Sequence, residues 1–596
     1  MYYPTLKLIP QTSKSVDVFK GYNHSLKIRD GELYDMKNLT GEHYPLLSSR
    51  RKRGTVAQLT APAGLLAKSK LVYLDGSRLF YGGQELTGSL SAAGLSISTN
   101  SAMLPKKLVS MGAYICIFPD KLYINAEDPD DCGSMEASFT AAGTVSYSLC
   151  RADGSAYAAP TLSATEPQNP ANGALWLDSS DAVHVLKQYS SDSSSWSAAA
   201  EVYVKISCTG IGADFQSYDG VSISGCAAPS GSGEAVSAQI EELNGTKIIS
   251  ARGDDYIVVT GILDGNVSQS GGVEVSRTLP DMDFVTEAEN RLWGCKYGAV
   301  NGKTVNEIYA CALGDFKNWS QFMGLSTDSY AASVGTDGPF TGAVTHLGYP
   351  VFFKENCLHK VYISPLGAHR IADTACRGVQ SGCHESLCVV NETLFYKSRG
   401  EICAYDGSLP VSVSSALGGE RYGEAAAGAM GDRYYISMKD GSGAWHLFVL
   451  DTARGFWHRE DAVHALCFAR ADDELYYIDA DTHCLMAELG STGSAEAEVD
   501  WEAVTGLFGT ELAEHKYVGR VNLRMKLPVG SSADMYIQYD SEPDWCFAGH
   551  MEGVGTGSFL LPVRPRRCDH FRIKLKGKGE MKLYSLTKIM ERGSDR

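Results

Sequence analysis

The sequence lacks the features that mark several large classes of protein. No uncharged apolar run approaches the roughly 18–20 residues of a membrane-spanning helix, and helical periodicity is hard to find anywhere in the 596 residues. The N-terminal stretch carries a lysine and polar residues where a signal peptide has an apolar core, so no secretion signal is expected. Proline is scarce, at 20 residues against 62 glycines and 31 tyrosines. This balance favours tight turns between aromatic strands.

Paired cysteine motifs are also missing. Sixteen cysteines are scattered from Cys116 to Cys568 without one CxxC, and many lie in apolar strand-like runs. Free cysteine behaves as a small buried hydrophobe, so reduced core thiols are expected in place of a disulfide scaffold. The densest group could supply soft zinc ligands, but it lacks the paired short spacing of zinc sites, and neither a metal nor another cofactor is predicted. Its members are Cys376, Cys383, His384, Cys388 and Cys403.

Known catalytic motifs are absent too. The sequence contains no GxSxG, no HExxH and no P-loop GxxxxGK[ST]. Its nearest match to the DxGxxW Asp box of propeller glycosidases runs from Asp440 to Trp445, with the glycine one place late. A glycosidase needs two carboxylates that flank the scissile bond, and spacing alone does not single out Glu460, Asp461 or Asp473 among 70 acidic residues. We therefore predict that the chain is not an enzyme, with a propeller glycosidase as the less favoured alternative.

Charge is unevenly distributed along a globular composition. Hydrophobic residues make up 44% and charged residues 21% of the chain, which excludes global disorder. The net charge of −17 should repel a nucleic-acid backbone or an anionic bilayer. Residues 129–245 hold fourteen acidic and three basic residues, whereas 500–596 hold 13 acidic and 15 basic ones. This contrast indicates an acidic insertion and a separate C-terminal region.

A loose repeat of aromatic strands predicts the main fold. Four aromatic runs start at Tyr349, Thr393, Arg433 and Leu475, which are 44, 40 and 42 residues apart. A turn signal precedes each run and another strand follows it. A period of roughly 40–50 residues with several strands per unit is typical of a β-propeller blade. Six or seven blades are predicted, and a stack of unrelated β-meanders is the alternative. Further aromatic runs start at Arg78, Ala113, Tyr256 and Arg291.

The sequence therefore predicts an all-β fold in five segments. They are an extended N-terminal arm (1–54), the first part of a β-propeller (55–128), an acidic β-rich insertion domain (129–245), the remainder of the propeller (246–490) and a C-terminal β-sandwich (491–596). The propeller ring must close, because its first and last blades otherwise leave an apolar face exposed.

Several long segments carry a family resemblance. They are ENRLWGCKYGAVNGKTVNEIYACALGDFKNWSQF, VGTDGPFTGAV, GYPVFFKENCLHKVY, GVQSGCHESLCVVNETLFYKSRGEICAYDGSLP, DTARGFWHRED, LPVRPRRCDHFRIKLKGKGEMKLYSLTKI and, near the N-terminus, GELYDMKNLTGEHYPLLSSRRKRG. Together they resemble a family of virion proteins of tailed bacteriophages and prophages, labelled stabilisation, tail-hub or nozzle proteins. The resemblance is best from about 280 to 596, and the insertion shares none of it.

The resemblance implies a structural virion protein built around a β-propeller. Such a protein would assemble in the bacterial cytoplasm into a homo-oligomeric ring around the tail axis. Its partners would be other tail or portal-connector proteins, and packaged DNA would pass nearby without specific binding, which agrees with the negative net charge. A short-tail nozzle, a head–tail stabiliser and a distal component of a long tail all remain open.

A basic cluster near the C-terminus is the predicted subunit-docking surface. In HFRIKLKGKG, strand alternation places three basic residues on one face and three apolar residues on the other. An acidic partner, such as the insertion of an adjacent subunit, is favoured over nucleic acid, because no stacking aromatic residues interleave with the charges. A solvated strand face is the alternative. The cluster comprises Arg564, Arg566, Arg567, Arg572, Lys574, Lys576 and Lys578.

The leading alternative function is recognition of a host-surface glycan or receptor. Aromatic side chains in the insertion could stack on sugars, although packing inside the strands is the simpler interpretation. These residues are Tyr147, Trp176, Tyr189, Trp196 and Tyr203.

Overall fold

The structure is a computed structural model that describes residues 11–366, 368–511, 514–563 and 566–592. It confirms the predicted fold class, because the chain is an all-β protein with a β-propeller, an inserted β-rich domain and a β-sandwich. No helix in the described ranges is long and apolar enough to cross a membrane. The described helices are the α-helices Thr87–Ala92 and Glu234–Glu241 and the 3₁₀ turns His384–Ser386 and Ser415–Leu417.

Seven antiparallel sheets form the blades of the propeller in the described part of the chain. Blade 1 consists of Pro62–Ala67, Leu71–Asp75, Arg78–Tyr81 and Gln84–Glu85, and blade 2 of Lys107–Met111, Tyr114–Phe118, Leu122–Asn125 and Cys132–Ser134. Blade 3 consists of Phe284–Ala288, Arg291–Val300, Lys303–Ala310 and Tyr330–Ser333, and blade 4 of Gly342–His346, Tyr349–Lys354, Cys357–Tyr362 and Arg370–Ala375.

The three last blades follow in the same order. Blade 5 consists of Cys388–Val390, Thr393–Lys397, Ile402–Tyr405 and Val411–Ser412, and blade 6 of Tyr422–Met430, Arg433–Asp440, Trp445–Asp451 and Phe456–Arg459. Blade 7 consists of Ala465–Ala471, Glu474–Asp479, Cys484–Ala487 and, from much earlier in the chain, Gly54–Gln58, with the short strand Ser494–Ala495 at its edge.

Tight turns join the first and second strands of the blades where the sequence has its turn signals. Glu289 and Asn290 have φ angles of 51° and 56°, and Asn391 and Glu392 have φ angles of 46° and 66°. Consecutive left-handed residues form the primed turns whose twist matches that of an antiparallel strand pair. The local sequence therefore sets each hairpin before the blades pack.

The ring closes between blade 7 and blade 1. The innermost strand of blade 7, Ala465–Ala471, contacts the innermost strand of blade 1, Pro62–Ala67. Gly54–Gln58 pairs antiparallel with Cys484–Ala487 and so supplies the fourth strand of blade 7. Because Gly54–Gln58 directly precedes blade 1 in the sequence, it ties the end of the ring to its beginning.

The inserted domain has three sheets and a hydrophobic core of its own. The first sheet pairs Ala137–Thr140, Glu274–Arg277, Gly220–Ser224 and Gly245–Ile248 in that order. The second pairs Ala251–Gly253, Tyr256–Thr260, Tyr203–Ser207, Thr144–Cys150 and Val267–Ser270. The third pairs Thr161–Ser163, Leu175–Asp178, Val185–Ser190 and Ser195–Ala198.

The predicted end of the insertion at residue 245 is wrong. Strand Tyr256–Thr260 was expected in the propeller, but it pairs with Tyr203–Ser207 inside the insertion. The propeller resumes only at Phe284. Ile257, Val258 and Val259 are all fully buried, so this strand has the same apolar character as a blade strand, and only its pairing partner distinguishes the two.

The sandwich consists of two sheets that include the N-terminal region. The five-stranded sheet pairs Leu33–Lys37, Asp500–Thr505, Phe571–Lys578, Ser532–Tyr539 and Cys546–Glu552. The seven-stranded sheet pairs Leu39–Thr40, Leu47–Ser49, Lys582–Arg592, Lys516–Leu527 and Gly555–Pro562, with Gln11–Val16 on Lys582–Arg592 and Arg567–Cys568 on Lys516–Leu527.

The prediction of an extended arm over residues 1–54 is wrong for the described residues from Gln11 onward. Four short strands of this segment complete the sandwich sheets, and Phe19, Tyr22 and Met36 are buried. These residues belong to one continuous hydrophobic cluster that joins the sandwich to blades 4, 5 and 6. Strands this short show no periodicity in a sequence, which is why the segment resembled an arm.

A buried arginine fixes the N-terminal segment where the sandwich meets blades 6 and 7. Arg53 donates to Glu488 at 2.6 Å, to Glu460 at 2.7 Å and to Asp461 at 2.5 Å. Burial raises the pKa of Glu488 well above its usual range, Arg53 opposes this shift, and neighbouring Glu460 adds to it.

A second buried arginine, Arg50, extends the same cluster. It donates two bonds to Glu496, at 2.8 and 2.9 Å, and one to Asp461 at 3.2 Å. Its Nε donates to the side chain of Asn38 at 2.8 Å. Bidentate arginine–carboxylate pairs are directional as well as strong, so Arg50 and Arg53 together set the path of the chain into Gly54–Gln58.

Removing the Arg53 guanidinium tests the importance of this cluster. Arg53→Ala leaves the buried Glu488 without a cation and leaves Glu460 and Asp461 to Arg50 alone, so we expect the free energy of unfolding to fall by about 3–5 kcal/mol in denaturant titrations. Arg51→Ala is the matched control, because Arg51 is 60% exposed and pairs with Glu42 at the surface. Its loss should cost about 1 kcal/mol or less, and equal effects of the two variants would contradict the role of Arg53.

Candidate functional site

The inner strands of all seven blades surround a central channel of about 610 Å³. Its lining combines apolar side chains with polar groups. A concave surface that combines apolar residues with a few converging polar groups is the usual form of a ligand site, so this channel is the candidate site. The titratable side chains that line it are Lys107, Glu287, His384, Glu385, Cys388 and Arg470.

Three of these side chains form a cluster. Lys107 begins the inner strand of blade 2, and His384 and Glu385 lie in the 3₁₀ turn before blade 5. Lys107 Nζ is 3.4 Å from Glu385 Oε1, and His384 Nε2 is also 3.4 Å from that oxygen. Ser386 anchors the turn, because its Oγ donates to the Cys383 carbonyl at 2.6 Å and accepts from a blade 5 amide at 2.9 Å.

The cluster sets the charge states of its members. Burial acts to raise the pKa of Glu385, but Lys107 and His384 hold it below its usual value. Burial lowers the pKa of His384, Lys107 lowers it further, and Glu385 opposes both. At neutral pH the site therefore presents a charged carboxylate beside a neutral imidazole, which is a pair able to accept a proton.

A second cavity of about 680 Å³ opens beside His384, between blades 2 and 3. Its carboxylates have lysine partners: Lys121 Nζ lies 3.2 Å from Asp281 and Lys296 Nζ lies 2.7 Å from Asp283. The two cavities share Lys107 and His384 in their linings, so the cluster is reached from both.

The acidic residues considered from the sequence lie outside the channel. Glu460 and Asp461 bind the buried arginines of the junction. Asp473 is exposed on the first hairpin turn of blade 7. None of these three side chains lines the channel.

Asp440 shapes a hairpin turn. Its Oδ1 accepts bonds from the backbone N–H groups of Ser442 at 2.8 Å and Ala444 at 3.0 Å, and its Oδ2 shares a bond of 2.7 Å with His446 Nε2. The ring of Trp445 stacks on that of His464 with 3.8 Å between centroids. The displaced Asp box therefore closes the turn between the second and third strands of blade 6.

The cysteine group considered as a zinc site does not converge. Burial raises the pKa values of Cys376 and Cys383 to about 11 and that of Cys388 to about 12. Cys383 donates to a backbone carbonyl of blade 6 at 3.0 Å, and Cys403 is fully buried. The described residues hold no group of three or more His, Cys, Asp or Glu residues that could bind a metal ion.

The predicted docking strand has the expected alternation. In Phe571–Lys578 the apolar side chains Phe571, Ile573 and Leu575 are buried. The alternating basic side chains lie on the opposite face, where the Arg572 guanidinium stacks 4.1 Å from the Tyr34 ring centroid and Lys574 Nζ lies 4.1 Å from the Trp545 ring centroid.

Other members of the predicted docking cluster also have partners within the chain. Lys576 lies 3.1 Å from Glu502, and Lys578 lies 3.9 Å from Asp500. Arg566 pairs with Glu542, Arg567 is partly buried in an edge strand, and Arg564 lies outside the described residues. Docking through this cluster stays a prediction, although its charges are already partly neutralised.

The aromatic residues of the insertion are largely internal. Tyr147 and Trp176 are buried, so neither is free to stack on a sugar. Trp196 packs against Trp176 and Tyr189, with centroids 5.5 and 5.3 Å apart, and Tyr203 is half-buried. Glycan recognition by the insertion stays a prediction that depends on the three half-buried rings.

The comparisons with known proteins return structural likeness alone. No protein-family profile and no curated protein matches the chain. Among solved structures, an exo-β-1,3-galactanase from Phanerochaete chrysosporium is 9% identical with a TM-score of 0.21 and covers 51% of this chain and 94% of its own. A surface component of the type-IX secretion system of Porphyromonas gingivalis is 12% identical with a TM-score of 0.24. The match covers 90% of this chain and 77% of that protein.

A third neighbour is a family 43 arabinoxylan arabinofuranohydrolase from Bacillus subtilis, 9% identical with a TM-score of 0.14, over 65% of this chain and 93% of its own. Several neighbours are thus glycoside hydrolases, and this finding contradicts the prediction that the chain is not an enzyme. That exclusion is withdrawn. The likeness is too distant to transfer one of these activities to this chain.

Sequence reasoning missed the channel cluster. His384 was considered only as a zinc ligand, and Lys107 and Glu385, which are 278 residues apart, were not considered at all. The available signal was the position of each residue within its repeat. The aromatic runs are mostly second strands, so the residues before each run belong to the inner strand or to the turn that leads into it, where they can line the channel.

Removing the positive charge of Lys107 tests the geometry of the cluster. Lys107→Met should raise the pKa of His384, because Lys107 lowers it in the folded chain. NMR titration of labelled histidine would measure the shift, with His384→Asn to assign the signal. Lys303→Met, on the exposed hairpin of blade 3, is the matched control, and an unchanged His384 titration in Lys107→Met would contradict the contact.

Proposed function

We propose that the chain is a structural protein of a tailed-phage virion and forms part of a ring-shaped assembly in the tail or at the head–tail junction. The sequence resemblance supplies the family. The observation that supports it is that two resembling segments form one ion cluster in the fold. SRRKRG contributes Arg50 and Arg53, and DTARGFWHRED contributes Glu460 and Asp461. Arg53 and Glu460 are 407 residues apart and bind each other in the fold.

This contact supports the resemblance, because two resembling segments that are far apart in the sequence contribute to one buried ion cluster. A chance similarity between strand-rich segments would not be expected to include both partners. The same segments also tie the sandwich to the propeller through a single hydrophobic cluster. A unit that cannot hinge between its two domains suits a component of a load-bearing assembly, because interdomain motion is the default only where interfaces are small.

The state of the purified full chain tests the assembly. We expect closed rings of several copies in negative-stain electron micrographs, with a matching mass in mass photometry at physiological salt. Lys303→Ala is expected to assemble like the wild type, because Lys303 is exposed on the blade 3 hairpin, away from the sandwich. A wild-type chain that is monomeric at every concentration tested would contradict the proposal.

A second candidate is hydrolysis of a glycoside in the propeller channel. The observation that favours it is that two glutamates, Glu287 and Glu385, line the channel together with His384, whose pKa burial lowers. Two carboxyl groups acting on one bond are the minimum that most glycoside hydrolases require. The mixed polar and apolar lining and the volume of about 610 Å³ are compatible with a bound sugar.

Substitution of the two channel carboxylates tests this candidate. The full chain would be incubated with a panel of aryl glycosides and oligosaccharides. Turnover is expected to fall by at least ~100-fold in both Glu385→Gln and Glu287→Gln, because each removes an acid–base group. Glu580→Gln, an exposed residue of the sandwich, is the control. Turnover that survives both channel changes, or no turnover on any substrate, would remove the candidate.

A further inference from the structure

We propose that the chain associates with itself through the outer face of its seven-stranded sheet, which receives the acidic insertion of a second copy. This inference rests on the assembly proposed above and names the two surfaces that would meet. The receiving surface differs from the cluster around Phe571–Lys578 that the sequence indicated.

The receiving surface is a row of basic side chains on two adjacent strands. Along Lys516–Leu527, Val521, Leu523 and Met525 are buried, and alternation turns Arg520, Arg524 and Lys526 outward. Lys582, on the neighbouring strand, points the same way, because its neighbour Leu583 is buried opposite Met525. At about 3.3 Å per residue, Arg520 and Lys526 lie roughly 20 Å apart. We call these four residues the basic face.

The basic face has no neutralising carboxylate among the residues that the structure describes. In the described ranges, none of its four side chains has a carboxylate within 4.0 Å. Lys526 and Lys582 are also directly opposite each other in the strand register. Like charges in that position destabilise a sheet, so the arrangement costs stability unless an anionic group lies over it. The strand Phe571–Lys578 differs, since its basic side chains have ring or carboxylate partners.

A cleft beside the basic face offers room for acidic side chains. It has a volume of about 280 Å³ and is lined by Lys526, Lys582, Lys52 and Arg51 among others. Arg51 already pairs with Glu42, whereas Lys52 is exposed. A carboxylate that enters the cleft would meet the side chains of three lysines, which outnumber the acidic lining residues Glu42 and Glu580.

The insertion is the acidic surface that this chain itself supplies. Residues 137–277 hold 15 acidic and six basic residues. On and beside its helix Glu234–Glu241, the side chains of Glu234, Glu241 and Glu242 are exposed, and none of them forms an ion pair with another described residue. The net charge of −17 opposes long-range attraction of DNA, so an acidic protein surface is the favoured partner.

The position of the two surfaces favours contact between copies. The insertion leaves the propeller between blades 2 and 3, whereas the sandwich shares its core with blades 4, 5 and 6. A contact between two different patches is heterologous, and repeated contacts of this kind generate a ring when the rotation closes.

Charge exchange between the two surfaces tests the inference. Sedimentation velocity of the full chain at 50 mM and 500 mM salt would measure association. Variant A, Arg524→Glu with Lys526→Glu, should weaken association at least ~10-fold, and so should variant B, Glu241→Lys with Glu242→Lys. A mixture of A and B should regain association, because the reversed face of one then meets the reversed insertion of the other. High salt should weaken the association of the wild type and that of the mixture to the same degree.

A charge-matched control variant and a DNA-binding measurement distinguish this inference from its alternatives. Lys303→Glu with Arg421→Glu makes the same charge change as variant A at exposed propeller positions, and it should associate like the wild type. If variants A and B assemble as well as the wild type, the inference is wrong while the proposed assembly stands. A monomeric wild type overturns both. Tight binding of duplex DNA at physiological salt, lost in variant A, would make the basic face a nucleic-acid surface and overturn the inference alone.

Discussion

The burial of Arg53 among three carboxyl groups constrains the rest of the molecule. A guanidinium that leaves water needs hydrogen-bond acceptors in compensation, and here carboxyl groups that follow the last strand of blade 6 and the third strand of blade 7 supply them. The next residue, Gly54, pairs with Ala487, and a side chain there would meet the Thr492 carbonyl at 1.9 Å. The ion cluster and this glycine together fix the register of the strand that closes the ring.

The parts of the fold that the sequence predicts are those with local causes. Blade hairpins carry their own turn residues, and buried second strands carry aromatic runs, so the repeat is visible without any alignment. The strand at Tyr256 shows the limit, because burial on both faces gives the same composition in a blade and in the insertion. The N-terminal strands show another limit, since strands of two to six residues take their structure from partners that lie hundreds of residues away.

The candidate site was less predictable than the fold for a related reason. Lys107, His384 and Glu385 acquire their properties from the enclosure of the channel and from one another, and no spacing along the chain brings them together. Basic residues illustrate the same point. Arg572 and Arg524 both lie in alternating strands of the sandwich, yet one stacks on Tyr34 and the other has no carboxylate neighbour within 4.0 Å in the described ranges. Charge in a sequence indicates a surface, but its partners decide whether that surface is available.

The pairing of N-terminal strands with strands from much later in the sequence determines when each part of the fold can form. Gln11–Val16 pairs with Lys582–Arg592, and Gly54–Gln58 pairs with Cys484–Ala487. These N-terminal strands are therefore synthesised long before the strands with which they pair. At roughly 5–20 residues per second, a ribosome needs on the order of half a minute to two minutes to span that separation. Blades 1 to 6 can pack in order during this time, while the N-terminal strands remain without partners. Gly54–Gln58 can therefore complete blade 7 only after Cys484–Ala487 has been made, and Gln11–Val16 can join its sheet only after Lys582–Arg592 has been made.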